Sequence, residues 1–300
     1  MTEYKEADDK DEALLTGYGT VRGAELKSVY NDISENTPVL ELEKRHGKPN
    51  PETETYETDH INNCMKFLRT LDMIEISVQD VVNTINTDIY PELSFEARLL
   101  YHIRRQTGRQ YHLAEIHEVL MSIDDQDERS GSRTVSEGEL LKIVDRKTEY
   151  DLKWRPEKIR MWANLLDPIG AVSYDGDEIF TSPSRALLYE LLSEYKKENK
   201  DEELSGDDLR GALEWIDEEF FPVFSSRTGT PYVHVGVADV LSSMVKDDVI
   251  EIVSMTDRTD TIELPYSIDN TEEPAEFRIN AKPDEPAYYY PLDRTTRRLQ

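Results

Sequence analysis

Two stretches of this 300-residue chain hold cations that could bind phosphate or a base edge. Between Lys142 and Arg160 seven Lys and Arg stand against four acids, and from Arg98 to His112 there are four arginines and no acid. Arginine fits phosphate and guanine edges with a planar fork, lysine meets phosphate as a point charge, and asparagine fits adenine. Along Arg155-Pro-Glu-Lys-Ile-Arg-Met-Trp-Ala-Asn164, a helical step of about 100° per residue puts Arg160 and Asn164 opposite Ile159, Trp162 and Leu166. Arg160 and Asn164 are therefore the candidate base contacts, with Lys153, Arg155 and Lys158 as flanking phosphate contacts. Lys147, Arg104, Arg105 and Arg109 complete the candidate cationic face. The plain reading of the same pattern is a solvated helix face on which Glu157 pairs with a neighbour.

Other chemistry leaves no comparable pattern. Gly17-Tyr-Gly-Thr-Val-Arg-Gly23 misses dinucleotide spacing by one residue and follows no strand, and Gly47-Lys48 lacks the earlier glycine of a phosphate loop. Ser193-Glu-Tyr-Lys196 and Ser243-Met-Val-Lys246 both match a Ser-x-x-Lys spacing, and two hits without companion motifs mark it as chance. His112 and His117 lie about 140° apart around a helix and would not share a metal from one element. The one cysteine, Cys64, excludes an internal disulfide and reads as a small buried hydrophobe. No catalytic residues, cofactor or metal are expected, and the chain reads as a non-enzyme.

Charge bounds the partners. Asp and Glu number 63 against 35 Lys and Arg, a formal charge of -28. Such self-repulsion is tolerable where concentrated cations screen it, which points to a halophilic interior. The acid-rich start MTEYKEADDKDEALL offers no secretory signal, and nowhere do 18 apolar residues run together, so a cytoplasmic protein with no membrane partner is expected. With 16 Tyr, 7 Phe and 3 Trp the chain has the apolar material for two or three domains of roughly 100 to 200 residues.

A helical pattern that ends at an aspartate and passes into a β-prone run recurs three times. The copies are Phe67-Leu-Arg-Thr-Leu-Asp72-Met-Ile-Glu-Ile-Ser77, Ala163-Asn-Leu-Leu-Asp167-Pro-Ile-Gly-Ala-Val-Ser173 and Met244-Val-Lys-Asp-Asp248-Val-Ile-Glu-Ile-Val-Ser254. Around the middle copy the spacing predicts helices over 93–106 and 112–120. A third opens at Thr134-Val-Ser-Glu137 with a capping-box pattern, and a fourth begins at Arg155 with Pro156 in its first turn. Strands over 169–174 and 177–181 flank an Asp175-Gly176 turn, and a helix over 183–197 follows. The third copy repeats these parts, with helices over 207–221 and 237–245 and strands over 249–255 and 261–264 around a turn at 257–260. The first has a helix over 58–70, with polar His60, Asn62, Asn63, Lys66 and Arg69, and a strand over 73–77, but no clear return strand before Val81.

Helices, a last helix and then a two-stranded ribbon is the order of the winged helix-turn-helix superfamily, which the chain resembles in tandem and in the style of haloarchaeal proteins. The resemblance is strongest over 92–190, weaker over 206–265 and weakest in the first 90 residues. It implies an α+β, predominantly helical fold of two or three tandem winged helix-turn-helix modules. These are a divergent module over 1–90, a module with a basic face over 91–198, a docking module over 199–266 and an extended acidic tail over 267–300 that includes Tyr288-Tyr-Tyr-Pro. The superfamily hosts nucleic-acid binding and protein docking alike. The expected function is binding of duplex DNA through the middle module, as a regulator or the DNA-engaging subunit of a larger complex. The alternative is a protein–protein scaffold subunit of a chromosome-organising or defence assembly, favoured by the acidic wing Tyr174-Asp-Gly-Asp-Glu178 and the apolar helix over 237–246. The oligomeric state stays open.

Overall fold

Helix occupies 52% of the structure, in ten helices among the described residues, and every strand is two to four residues long. The computed structural model describes residues 21–50, 55–123, 131–148, 154–198, 207–226, 231–253, 262–269, 271 and 274–282.

One order of elements recurs three times. The first unit runs α1 (Gly23–Asn31), β1 (Thr37–Pro38), α2 (Val39–His46), a hairpin β2 (Lys48–Asn50) and β3 (Thr55–Glu57), α3 (Asp59–Thr70), β4 (Ile74–Ile76) and β5 (Val81–Thr84). After α4 (Phe95–Arg104) the second has α5 (His112–Met121), β6 (Thr134–Ser136), α6 (Glu137–Lys147), α7 (Pro156–Ile169), β7 (Ser173–Asp175) and β8 (Glu178–Phe180). The third has α8 (Arg185–Glu198), β9 (Asp207–Asp208), α9 (Leu209–Glu219), a hairpin β10 (Phe224–Ser226) and β11 (Tyr232–Val233), α10 (Val235–Lys246), β12 (Ile250–Val253) and β13 (Glu276–Ile279). In each unit the last strand lies between the other two: β1-β5-β4, β6-β8-β7 and β9-β13-β12, all antiparallel. The registers put Val135, Ile179 and Tyr174 in one buried row, so the ribbon closes the bottom of its own core.

The recurring junction is a helix stop. Met73 N–H bonds the Leu68 carbonyl at 3.0 Å, Ala171 the Leu166 carbonyl at 3.2 Å and Val249 the Met244 carbonyl at 2.9 Å. Each bond closes over one residue in left-handed conformation, Asp72 (φ 55°), Gly170 (φ 82°) and Asp248 (φ 56°). The middle counterpart of the two aspartates is thus Gly170, three residues beyond the sequence alignment at Asp167. Aspartate tolerates that conformation through its short polar side chain and glycine has no Cβ to oppose it. The Asp167 carboxylate accepts the Tyr174 N–H at 3.1 Å instead, tying helix to strand.

Several element expectations shift. Ser136, not Thr134, caps α6, accepting the Glu139 N–H at 3.2 Å, because 134–136 pair with β8. The return strand of the first unit begins at Val81 itself, after a tight turn in which Ser77 N–H bonds the Val81 carbonyl at 2.9 Å. In the third unit the strand beside β12 is 276–279, not 261–264, so residues read as tail complete the sheet and bury Phe277. The turn at 257–260 and the Tyr288–Tyr290 run lie outside the described residues.

The units are fused by side chains from the connecting segments. Tyr90 touches Tyr101, Trp215 and Phe220 at ring separations of 5.4 to 5.7 Å, and Trp215 donates its N–H to the Tyr90 hydroxyl at 3.2 Å. Lys27 of α1 bonds Glu96 of α4 at 2.7 Å. Arg133 grips Asp239 of α10 through two bonds of 2.7 and 3.1 Å, and Arg185 meets Asp247 at 2.6 Å. No helix among the described residues is long and apolar enough to cross a membrane.

Candidate functional site

α7 owes its place to Trp162, which is fully buried and donates its indole N–H to the Leu113 carbonyl at 2.9 Å. Ile159, Ala163 and Leu166 pack beside it, leaving Arg155, Glu157, Arg160 and Asn164 exposed, as the helical spacing requires. Two neighbours narrow that strip. On one flank α1 packs against α7, so closely that a Cβ on Gly23 would stand 2.9 Å from the Leu165 carbonyl. On the other, Arg160 donates to the Glu137 carboxylate at 3.1 and 3.3 Å, and the hydroxyl of Tyr174, in β7, donates to the same carboxylate. Burial, with Glu137 adding, pushes the Tyr174 hydroxyl up to about 12. Asn164 spends an amide hydrogen on the Arg160 carbonyl at 2.9 Å. Beyond Tyr174 the β7–β8 turn exposes Asp175, Asp177 and Glu178.

The described arginines of the acid-free stretch are spent on contacts within the chain rather than gathered on one outward face. Arg104 is 8% exposed and bonds Glu118 at 2.5 Å and the Tyr111 hydroxyl at 3.2 Å. Arg105 lies over the Tyr101 ring at 4.8 Å and pairs with Glu219 of α9, joining the second and third units. Arg98 lies over Tyr30 of α1 at 5.4 Å. Of the other expected contacts, Lys153 and the side chain of Arg109 lie outside the description. Apart from Arg105 and Arg160, the exposed cations of the two basic stretches lie on α6 and at the corner where α7 begins. Trp154 donates to the Thr148 hydroxyl at 2.8 Å and closes that corner, Lys158 lies over the Trp154 ring at 5.8 Å, and Lys142, Arg146, Lys147 and Arg155 are exposed. Lys147 bonds the Ser122 hydroxyl at 3.0 Å. Among the described residues no carboxylate makes an ion pair with Lys142, Arg146, Lys147, Arg155 or Lys158.

The corresponding helix of the third unit is turned inward. A Cβ on Gly236, at the start of α10, would stand 2.8 Å from backbone atoms of Thr181, and His234 caps the helix by accepting the Gly236 N–H at 3.1 Å. In the first unit the equivalent helix α3 is open along one side. A groove of about 570 Å³ runs beside it, lined by Asn62, Asn63 and Lys66, by Val39 of α2 and by Ile76 and Asp80 of the β4–β5 ribbon. His60 donates to the His46 carbonyl at 3.1 Å and docks α3 on α2.

His117 and His234 are buried, and burial holds them down at about 3 and about 4. Cys64 is buried with its thiol pushed up to about 12, so it is not a nucleophile near neutral pH. Among the described residues no three His, Cys, Asp or Glu are grouped to hold a metal ion. Glu137 is the neighbour of the candidate residues that sequence spacing missed: it sits 23 positions from Arg160 and 37 from Tyr174, and only the fold brings the three together. No family model, curated protein or solved structure matches the chain.

Proposed function

We propose that this chain is a non-catalytic docking scaffold made of three winged-helix units, the third opening at α8 and ending at β13. The observation that carries the reading is the engagement of Arg104, Arg105 and Arg160 by Glu118, Glu219 and Glu137 of the same chain. A groove-reading helix needs an unhindered cationic strip, and α7 lies between α1 and an acidic wing. Rigid, repeated units with their seams closed by aromatic and ion-pair contacts suit a subunit that holds partners at set positions, as in chromosome-organising or defence assemblies. A narrower DNA reading has one observation in its favour, the cations at the α6–α7 corner, which could grip phosphate without reading bases.

Affinity capture of tagged chain at molar salt separates the two. The scaffold reading expects a partner retained in fixed stoichiometry after nuclease treatment. Loss of every stoichiometric protein on nuclease treatment, together with a gel shift abolished by Arg155→Ala and Lys158→Ala, would overturn it in favour of DNA.

A further inference from the structure

The hydrogen bond from Trp154 to the Thr148 hydroxyl draws the end of α6 onto the start of α7, and cations stand on both sides of it. Lys147 precedes Thr148, Arg155 follows Trp154, and the Lys158 ammonium lies 5.8 Å from the Trp154 ring. Burial, and then the charge of Arg155, hold Lys158 below the ordinary lysine value, so the two cations of α7 act on one another. Along α6 the Arg146 guanidinium turns back to donate to the Lys142 carbonyl at 2.9 Å, which extends the positive area by about one helical turn. Lys147 bonds the Ser122 hydroxyl, a neutral group that leaves its charge uncompensated.

Acids outnumber cations 63 to 35 in this chain, so internal partners are plentiful, and Lys27, Arg133 and Arg185 each pair with a carboxylate on another element. The cations of the α6–α7 corner have no such pair among the described residues, and the sequence from 142 to 160 sets seven Lys and Arg against four acids. Charge left open in this way fits an anion from outside. The extent of the area decides which anion. At the other end of α6 the Glu137 N–H bonds the Asp177 carbonyl at 2.8 Å, so the exposed acids Asp175, Asp177 and Glu178 stand the length of an 11-residue helix away, about 16 Å. A duplex carries phosphate charge without a break, one per roughly 1.7 Å of axis, and runs past so small a patch onto those carboxylates. An extended acidic segment covers the same length in about five residues at roughly 3.3 Å each.

We infer that the α6–α7 corner docks a short, extended, Asp- or Glu-rich segment of a partner protein, whose carboxylates pair with Arg155, Lys158 and Lys147. Arginine takes a carboxylate through two parallel N–H bonds, which makes Arg155 the anchor. The inference rests on the scaffold reading and names the chemistry of one of its contacts. Screening shortens from about 10 Å at 0.1 M salt to about 3 Å at 1 M, so the contact weakens as salt rises.

Fluorescence anisotropy of a labelled oligo-aspartate peptide, titrated with the full chain from dilute to molar KCl, tests this. The expected result is saturable binding that falls with salt and drops about tenfold in Arg155→Ala/Lys158→Ala, two surface pairs being lost, with circular dichroism unchanged. Lys246→Ala, which removes an exposed lysine of α10, leaves the affinity as it was. Absence of binding at every salt, binding indifferent to the double variant, or an equal loss in Lys246→Ala overturns the inference. So does a duplex oligonucleotide that binds more tightly than the peptide and is lost in the same double variant, which gives the corner to nucleic acid. A stoichiometric partner captured alike by the parent and the double variant removes the corner while the scaffold reading stands.

Discussion

Burial keeps the imidazoles of His102, His117 and His234 neutral, at about 4, 3 and 4 against an ordinary 6.5. His117 lies between Phe221, at 6.1 Å, and Trp162, at 5.9 Å, and Arg104 and His234 add to the penalty on its charged form. The sign follows from where the proton goes. Below pH 6.5 the unfolded chain takes up protons that the folded rings refuse, so stability present above 6.5 is lost as pH falls toward 3. Each ring costs roughly 2 kcal/mol between pH 7 and pH 5 by this linkage. His117→Phe, which keeps an aromatic ring in the slot, is expected to remove its share. Urea midpoints at pH 7, 6 and 5 check this, and a variant with the parent's full pH slope would refute it.

At the scale of elements, the three equivalent helices meet three different fates from one local pattern. α3 is open to solvent, α7 is flanked by α1, and α10 begins against the second unit. The α10 seam is built on close approach: Gly236 lets the helix start lie on the Thr181 backbone, and Arg133–Asp239 with Tyr266, which donates to the same carboxylate at 2.7 Å, holds it there. Gly236→Ala would force a Cβ to 2.8 Å from that backbone. Overpacking of this kind costs about 1 to 3 kcal/mol. Hydrogen exchange is expected to show faster opening of α10 and β12 with α3 unaffected, whereas unchanged protection of α10 would mean that the seam yields without cost.

For the whole molecule, a charge of -28 sets the conditions under which these seams hold. Several arginines that could relieve it are committed to partners in the same chain: Arg98 to Tyr30, Arg104 to Glu118 and, at the surface, Arg105 to Glu219. The acids on the outside repel one another over a screening length of about 10 Å at 0.1 M salt and about 3 Å at 1 M. The melting temperature should therefore climb steadily in calorimetry as KCl rises from dilute to molar, and a midpoint indifferent to salt would remove the halophilic reading.

The amino-acid order determined the elements and their repetition. Apolar spacing on α7 and α10, Pro156 in a first turn and the Asp175-Gly176 turn act within one or two helical turns, so they can be read without knowing what lies across the chain. The same locality explains the shifts. Gly170 and Asp72 are different residues serving one left-handed stop, and β13 comes so late because strand pairing depends on partners in space, not on adjacency. The cationic face depended wholly on tertiary packing. Whether an arginine reaches outward is decided by the nearest carboxylate, and Glu118, Glu219 and Glu137 come from elements 14, 114 and 23 positions away from the arginines they hold. Charge acts through distance in three dimensions, and a linear count of Lys and Arg contains no such distances.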